Sequence, residues 1–222
     1  MARLDLSSTV VVFDLDDTLY PEADYVESGI QHVCARLQDL CGKDVLALMQ
    51  ADTRAGRRDW LAAACEHAGL PPTAKESLLW MYRLHTPAIR LAPACERALH
   101  RIRERARAVA VLTDGRSVTQ RLKLAALGLA DWPAYISEDY GSEKPAPERF
   151  EAIQSHQPAA HYVYVGDNVR KDFLGCNRLG WTSIGMRGGA RNIHSQDAQG
   201  LPVEAFPSHW VDDWDELLEL LA

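Results

Sequence analysis

Three short apolar runs, each rich in β-branched residues, constrain the fold of this chain more than any other feature of its sequence. The strong runs are 9–13, 108–112 and 161–165, and weaker candidates for strands are 134–136, 181–184 and 209–211. Because apolar residues follow one another without alternation, each strong run is expected to be a strand covered on both faces, as in a parallel sheet flanked by helices.

Helical patterns lie between these expected strands. Ser117 is expected to cap a helix that Gly128 ends, and a second helix is expected to begin at Val169 and to end at Gly180. This alternation of strand and helix predicts an α/β fold with a doubly wound, mainly parallel sheet.

The segment from about Tyr25 to His85 has a different pattern, with no convincing strand. Helices are expected there at 22–40, 44–53, 59–67 and 73–85. A purely helical block after the first strand is typical of an inserted domain. We predict that residues 1–20 and 88–222 form the α/β core and that residues 21–87 form an all-helical cap domain.

The charge balance limits the partners of this chain. It has 222 residues, with 24 Lys and Arg against 31 Asp and Glu, and therefore a formal net charge of −7. This acidic excess disfavours nucleic acid and membrane partners, and the Arg-rich stretch 97–107 is interpreted as a solvated helix face. No run approaches the roughly 18 apolar residues of a spanning helix.

The five cysteines are scattered and lack the spacing of a zinc site. They are expected to be buried thiols of a reducing compartment. The chain is therefore expected to be cytoplasmic. A monomer or a homodimer is expected.

Polar side chains follow each of the three strong strand candidates. Asp14 and Asp16 follow the first, the segment 113–115 (Thr-Asp-Gly) follows the second, and Asp167 follows the third, with Asp172 shortly after. Because the carboxyl ends of parallel strands meet at one edge of a sheet, these side chains are expected to lie close together.

Asp14 and Asp16 are two residues apart, so in an extended chain both carboxylates would point to the same side. Neighbouring carboxylates repel each other unless they share a cation or a proton. With Asp167 alongside, the oxygen ligands suit Mg²⁺, and the lack of His or Cys at the cluster disfavours zinc.

Lys144 lies in a loop between turn-forming residues, within the segment 141–147 (Gly-Ser-Glu-Lys-Pro-Ala-Pro). A lysine placed in this way is suited to neutralising a phosphate or to restraining a nucleophilic carboxylate.

The ordered set Asp14-x-Asp16-x-Thr18, Thr113, Lys144-Pro145 and Gly166-Asp167 with Asp172 resembles the four motifs of the haloacid dehalogenase superfamily, in its phosphatase branch. The resemblance covers the predicted core, and the helical insertion is similar to a C1-type cap. It implies a Rossmann-like core and a Mg²⁺-dependent phosphomonoester hydrolase that works through an aspartyl-phosphate intermediate.

The resemblance also implies a role for each motif residue. Asp14 would be the nucleophile, and Asp16 would protonate the leaving group and then accept a proton from water, which requires that it start protonated. Thr113 would bind the phosphoryl group, joined by Asp114 or Gly115, and Lys144 would offset its charge.

For the metal, the resemblance implies four ligands. Mg²⁺ would be bound by the Asp14 side chain, the Asp16 backbone carbonyl and Asp167, with Asp172 as a direct or water-mediated ligand.

The cap of such an enzyme would supply the contacts that select the substrate. The candidates are Tyr25, Arg54, Arg57 and His85. Tyr25 and His85 are equally interpretable as packing residues, and the arginines as ordinary surface.

A small phosphorylated metabolite is the expected substrate, with a sugar phosphate ahead of a nucleoside 5′-monophosphate. The alternatives are a phosphosugar mutase of the β-phosphoglucomutase type and a catalytically idle relative that serves as a binding protein. A 2-haloacid dehalogenase is disfavoured because Asp16 is present and because such enzymes need no metal.

Overall fold

The described residues contain a six-stranded, parallel β-sheet. The computed structural model describes residues 5–54, 59–189, 191–193, 196–197 and 199–222, and for 52–54 it describes the backbone alone. The strand order is β3-β2-β1-β4-β5-β6, and all neighbouring strands are parallel. The α/β fold with a doubly wound sheet is confirmed.

The strands are β1 (Thr9–Phe13), β2 (Ala108–Thr113), β3 (Ala134–Ile136), β4 (His161–Gly166), β5 (Thr182–Met186) and β6 (His209–Val211). The helices are α1 (Glu22–Cys41), α2 (Leu46–Arg54), α3 (Trp60–Ala68), α4 (Lys75–Arg83), α5 (Pro93–Arg105), α6 (Ser117–Ala126), α7 (Ser137–Tyr140), α8 (Glu148–His156), α9 (Phe173–Arg178) and α10 (Trp214–Leu220). Short 3₁₀ helices lie at Leu6–Ser8, Pro72–Ala74 and Val203–Ala205.

Strand β1 is the central strand of the sheet, between β2 and β4. All five of its residues are buried, as its continuous apolar run predicts. Val11 pairs with Val109 on one side and with Val163 on the other, so the carboxyl ends of β1, β2 and β4 lie next to one another. The sheet therefore brings the three polar segments to one edge.

Two expected helix starts are wrong. Ser117 is the first residue of α6 rather than its cap, and its N–H donates to the carboxylate of Glu138 at 2.7 Å. Helix α9 begins at Phe173 rather than Val169. The residues before Phe173 form turns, because the Asp172 carboxylate accepts hydrogen bonds from the N–H groups of Asp167 and Asn168 and so closes the loop after β4.

The chain divides into two compact units. We call Met1–Ala23 with Arg90–Ala222 the core unit and Asp24–Ile89 the helical unit. The described part of the helical unit contains helices and no strand. Its apolar core includes Val33, Leu37 and Leu61.

An aromatic group in the helical unit combines residues from the beginning and the end of that unit. Tyr25 and His85 are buried there and contact each other, with ring centroids 5.1 Å apart. The Ser28 hydroxyl lies 3.0 Å from His85 Nε2 and accepts a hydrogen bond from the N–H of Ala88. These contacts join α1 to the segment that follows α4.

Four of the five cysteines are buried, as expected, but Cys41, the last residue of α1, is exposed. Within the described ranges, no helix combines the length and the apolar character that crossing a lipid bilayer requires.

Gly175 marks a close approach between α9 and the loop that carries Lys144. A Cβ atom on Gly175 would lie 2.6 Å from the backbone oxygen of Pro145 and 2.7 Å from the Phe150 ring. The backbone oxygen and the fully buried ring have little room to move.

We therefore predict that Gly175→Ala destabilises the protein. Overpacking of this kind costs about 1–3 kcal/mol, which corresponds to a fall in Tm of about 2–12 °C for a chain of this size. Thermal unfolding followed by circular dichroism measures the change. Gly189→Ala is the matched control, because a Cβ atom there meets nothing within 4 Å, and its Tm should match that of the wild type. Equal Tm values for the two variants would contradict the prediction.

Candidate active site

A cavity of about 290 Å³ lies in the core unit at the carboxyl ends of the central strands. Its lining comprises Asp14, Asp16, Glu22, Thr113, Asp114, Gly115, Glu143, Lys144, Asp167, Asn168 and Lys171. Asp14 directly follows β1, and its N–H continues the pairing with β4 by donating to the Val165 carbonyl at 2.8 Å. The cavity thus brings together residues from all four predicted motifs.

Lys144 lies at the centre of a buried ionic network. Its Nζ donates to Asp14 Oδ1 and to Asp172 Oδ1, both at 2.6 Å, and to the Tyr164 hydroxyl at 3.2 Å. The side chains of Lys144, Asp14 and Asp172 are 4%, 8% and 0% exposed. Burial favours the neutral amine, but the neighbouring carboxylates dominate and hold the pKa of Lys144 above its ordinary value.

Three buried carboxylates form a candidate metal site. Asp14, Asp167 and Asp172 each place an oxygen within 4.8 Å of the other two. Burial and mutual repulsion raise the pKa of Asp14 well above its ordinary value, and burial with the charge of Asp172 raises the pKa of Asp167 to about 7. Against three carboxylates, the one ammonium of Lys144 leaves a formal charge of −2. An all-oxygen set with this charge fits a divalent cation such as Mg²⁺.

Asp167 and Asp172 have different surroundings within this group. Asp167 accepts a hydrogen bond from the Thr18 hydroxyl at 3.2 Å. Asp172 uses Oδ1 for Lys144 and Tyr164, and Oδ2 for the N–H groups of Asp167 and Asn168. Both oxygens of Asp172 therefore already position the lysine and the loop after β4.

The side chain of Asp16 faces a second lysine instead of this cluster. Lys123 Nζ lies 2.7 and 2.9 Å from the two carboxylate oxygens, and Asp16 also accepts hydrogen bonds from Tyr20 and Gln120. Burial opposes ionisation of Asp16, but the Lys123 ammonium and these hydrogen bonds outweigh it and lower its pKa. In this conformation Asp16 is a carboxylate, whereas the first step expected of it requires a proton.

Arg149 of α8 is fully buried and supports the segment Thr113-Asp114-Gly115. Its guanidinium donates to the Thr113 carbonyl at 2.8 Å and to the Asp114 carboxylate. Burial opposes ionisation of Asp114, but the charges of Lys144 and Arg149 lower its pKa. The carboxylate of Asp114 thus anchors the loop and would repel a phosphate, so only its backbone is suited to phosphate binding.

The amide of Gly115 donates to the Ser137 hydroxyl at 2.9 Å in this conformation. Gly115 has a φ of +143°, which favours glycine and lets the backbone turn around the side chain of Gln120.

Asp17 has a structural role in the loop after β1. It has a φ of +56°, which is uncommon outside glycine. Its carboxylate accepts hydrogen bonds from the N–H of Glu22 at 2.8 Å and from the N–H of Ile193 at 2.6 Å. Asp17 therefore connects the start of α1 to the segment after β5.

Several polar residues of the site are not found by sequence reasoning. They are Gln120, Lys123, Arg149, Tyr164 and Lys171. Gln120 and Lys123 are three residues apart and so share one face of α6, but polar residues at this spacing also describe a solvated face. The sequence gives one indication of their role: the helix that carries both residues begins shortly after Thr113.

The expected substrate-selecting residues belong to the helical unit. Tyr25 and His85 are buried in its aromatic group, and these contacts suit packing residues. The side chain of Arg54 and the whole of Arg57 lie outside the described residues.

The family model of the haloacid dehalogenase-like hydrolases matches residues 9–180. A ribulose-1,5-bisphosphate 5-phosphatase of Halopiger xanaduensis is 27% identical over 97% of this chain and 100% of its own length. A glyceraldehyde 3-phosphate phosphatase of Methanopyrus kandleri is 26% identical over 95% of this chain and 96% of its own length.

A solved structure shares the fold. A protein predicted to be a phosphoglycolate phosphatase, from Haemophilus somnus 129PT, matches with a TM-score of 0.66 and 20% identity. The match covers 97% of this chain and 99% of the other.

The raised pKa of Asp167 predicts a pH dependence of stability in metal-free protein. An exposed aspartate titrates at about 3.8, so between this value and about 7 the folded state binds a proton that the unfolded state has lost. The free energy of unfolding should therefore fall as the pH rises through this range, with a contribution from Asp167 on the order of 4 kcal/mol.

Urea unfolding with EDTA at pH 4.5 to 8 measures this contribution as the difference between the wild type and Asp167→Asn. Saturating Mg²⁺ should restore stability to the wild type at pH 8 and have a smaller effect on the variant. The same pH slope in both proteins would contradict the prediction.

Proposed function

We propose that this chain, which belongs to the haloacid dehalogenase-like hydrolases, is a phosphatase that acts on small phosphorylated sugars through an aspartyl-phosphate intermediate. The observation that carries the proposal is the placement of Asp14. Its carboxylate is held 2.6 Å from Lys144 Nζ, on the same cavity as Thr113. A carboxylate restrained next to cationic and hydroxyl donors is suited to attacking a phosphorus atom.

In the first step, a carboxylate oxygen of Asp14 forms a bond to phosphorus as the bond from phosphorus to the alcohol oxygen breaks. Asp16, protonated in the substrate complex, gives its proton to the departing oxygen. In the second step, water attacks phosphorus and the bond to Asp14 breaks. Asp16 takes a proton from that water, so the products are an alcohol and inorganic phosphate.

The contacts of Asp16 with Lys123 bear on both steps. Lys123 favours the ionised form, which is the form that accepts a proton from water. Protonation of the leaving group requires this ion pair to loosen when the substrate's negative charge enters the cavity. Thr113 and Lys144 bind the phosphoryl oxygens and stabilise the charge that develops on them.

For the metal we propose Asp14, Asp167 and the backbone carbonyl of Asp16 as ligands, with Asp172 acting directly or through water. A bound Mg²⁺ supplies positive charge that offsets the repulsion between the phosphoryl group and the carboxylates. The −2 charge of the buried cluster with Lys144 supports this assignment.

A sugar phosphate is the favoured substrate. Both relatives described above are named phosphatases of small sugar phosphates, and they align over nearly all of this chain. The cavity of about 290 Å³ is at the lower end of the volumes that hold small ligands. We propose the helical unit as the cap that completes substrate selection.

Activity on a panel of esters tests the proposed function. Triose phosphates, pentose mono- and bisphosphates, nucleoside monophosphates and p-nitrophenyl phosphate are each incubated with the protein in Mg²⁺ or in EDTA. We expect phosphate release that requires Mg²⁺, with kcat/KM at least about tenfold higher for a sugar phosphate than for any nucleotide, a difference of about 1.4 kcal/mol in transition-state binding. Release from no ester would overturn the proposal, and a preference for nucleotides would overturn the substrate class.

Replacing the nucleophile gives a second test. Asp14→Asn removes the attacking oxygen and should lower kcat by at least about 10⁴-fold, because the covalent step is lost. The variant should stay folded, since the amide keeps the shape of the carboxylate and relieves repulsion inside the cluster. Asp131→Asn is the matched control, because Asp131 forms an exposed ion pair with Arg103 away from the cavity lining, and it should retain wild-type kcat. Retained turnover in Asp14→Asn would exclude Asp14 as the nucleophile.

A further inference from the structure

We infer that Gln120 is a positioning residue that directs the hydroxyl proton of Thr113 towards the phosphoryl group of the substrate. The inference rests on the proposed phosphatase function and adds a residue to it. Gln120 lies on α6, and only 1% of its surface is exposed. It packs inside the loop that carries Thr113 and Asp114.

Three acceptors surround the amide nitrogen of Gln120. Its Nε2 lies 2.7 Å from Thr113 Oγ1, 2.9 Å from Asp16 Oδ2 and 3.1 Å from the carbonyl oxygen of Asp114. A carbonyl oxygen can only accept a hydrogen bond, and so can an ionised carboxylate. The atom facing them must therefore be the NH₂ group rather than the amide oxygen.

This orientation decides the direction of the hydrogen bond to Thr113. Because the NH₂ group of Gln120 donates, Thr113 Oγ1 accepts, and the single hydroxyl proton of Thr113 must point elsewhere. Among the described residues, none accepts a hydrogen bond from this hydroxyl, and Thr113 lines the cavity. The proton is thus available to a phosphoryl oxygen without first breaking a bond within the protein.

Gln120 also connects the two halves of the proposed chemistry. Through Thr113 it acts on the group that binds phosphate, and through Asp16 on the residue that exchanges protons. Lys123, one turn later on α6, holds the same carboxylate. The two residues together fix the resting position of Asp16, and Gln120 contacts Thr113 as well.

A purely structural role would have a different consequence. If Gln120 only satisfied buried acceptors, its loss would lower stability and would leave the affinity for phosphate unchanged in protein that remains folded. The positioning role predicts weaker phosphate binding that depends on the presence of the Thr113 hydroxyl.

The test measures inhibition by inorganic phosphate, the product of the proposed reaction. Wild type, Gln120→Met, Thr113→Val and the double variant are assayed with Mg²⁺ on the best ester of the panel, at a temperature where circular dichroism shows each to be folded. Gln120→Met removes the donor but keeps a similar volume. We expect its inhibition constant and its KM to rise about tenfold or more, the effect of a misdirected hydrogen bond to a charged group.

In the Thr113→Val background, the further change at Gln120 should alter the inhibition constant by less than about twofold, because the two residues act through one hydroxyl. Gln157→Met is the matched control, since Gln157 is a part-buried glutamine whose Nε2 donates to the Tyr135 hydroxyl at 3.3 Å. This control should keep the wild-type inhibition constant.

Gln120→Glu provides a second variant if Gln120→Met does not fold. A glutamate accepts the Thr113 proton instead of donating to the oxygen, so phosphate binding should weaken by a similar or larger factor. An unchanged inhibition constant in either folded variant, or fully additive effects in the double variant, would overturn the inference. Wild-type protein that hydrolyses no ester would instead overturn the proposed function, so the two failures are distinguishable.

Discussion

The buried ammonium group of Lys144 connects the parts of the core unit that form the candidate site. Lys144 Nζ contacts Asp14, which follows β1, as well as Tyr164 of β4 and Asp172 at the start of α9. Each of these groups is costly to bury alone, since an isolated charge in a protein interior loses its hydration without compensation. The lysine loop, the central strand and the loop after β4 therefore depend on one another. The close approach of Gly175 to the backbone of Pro145 also connects α9 to the lysine loop.

The two aspartates of the first motif pair with different lysines. Lys144 pairs with Asp14, whereas Lys123 pairs with Asp16. The two carboxylates are only two residues apart, yet burial among like charges raises the pKa of Asp14, and the ion pair with Lys123 lowers the pKa of Asp16. The surroundings of the two carboxyl groups thus give one short segment two different proton affinities. Asp16 has the lowered pKa in this conformation, so its proposed role as a proton donor requires the contact with Lys123 to change when the substrate binds.

The sequence predicts most of the sheet because its signal is local. Apolar runs such as 9–13 are recognisable without knowledge of their neighbours, and the parallel arrangement follows from the helices between them. The start of α9 was not predictable in this way, because it depends on the Asp172 carboxylate closing the preceding loop. The same limit applies to Gln120 and Lys123. A polar residue on a helix has the same appearance in sequence whether it faces water or a buried carboxylate, and only tertiary contacts distinguish the two.

The position of the helical unit in the sequence affects how the protein can evolve. The unit is inserted between β1 and β2, and these strands are adjacent, with Phe13 paired to Val111. The sheet therefore fixes the chain on both sides of the insertion, whatever the insertion contains. Closing a flexible loop costs only about 0.6 kcal/mol more for each doubling of its length. An insertion at this point can thus be lengthened, shortened or exchanged while the pairing of the central strands persists. The carboxyl ends of the strands, where the candidate site lies, are therefore free to evolve separately from the segment between β1 and β2.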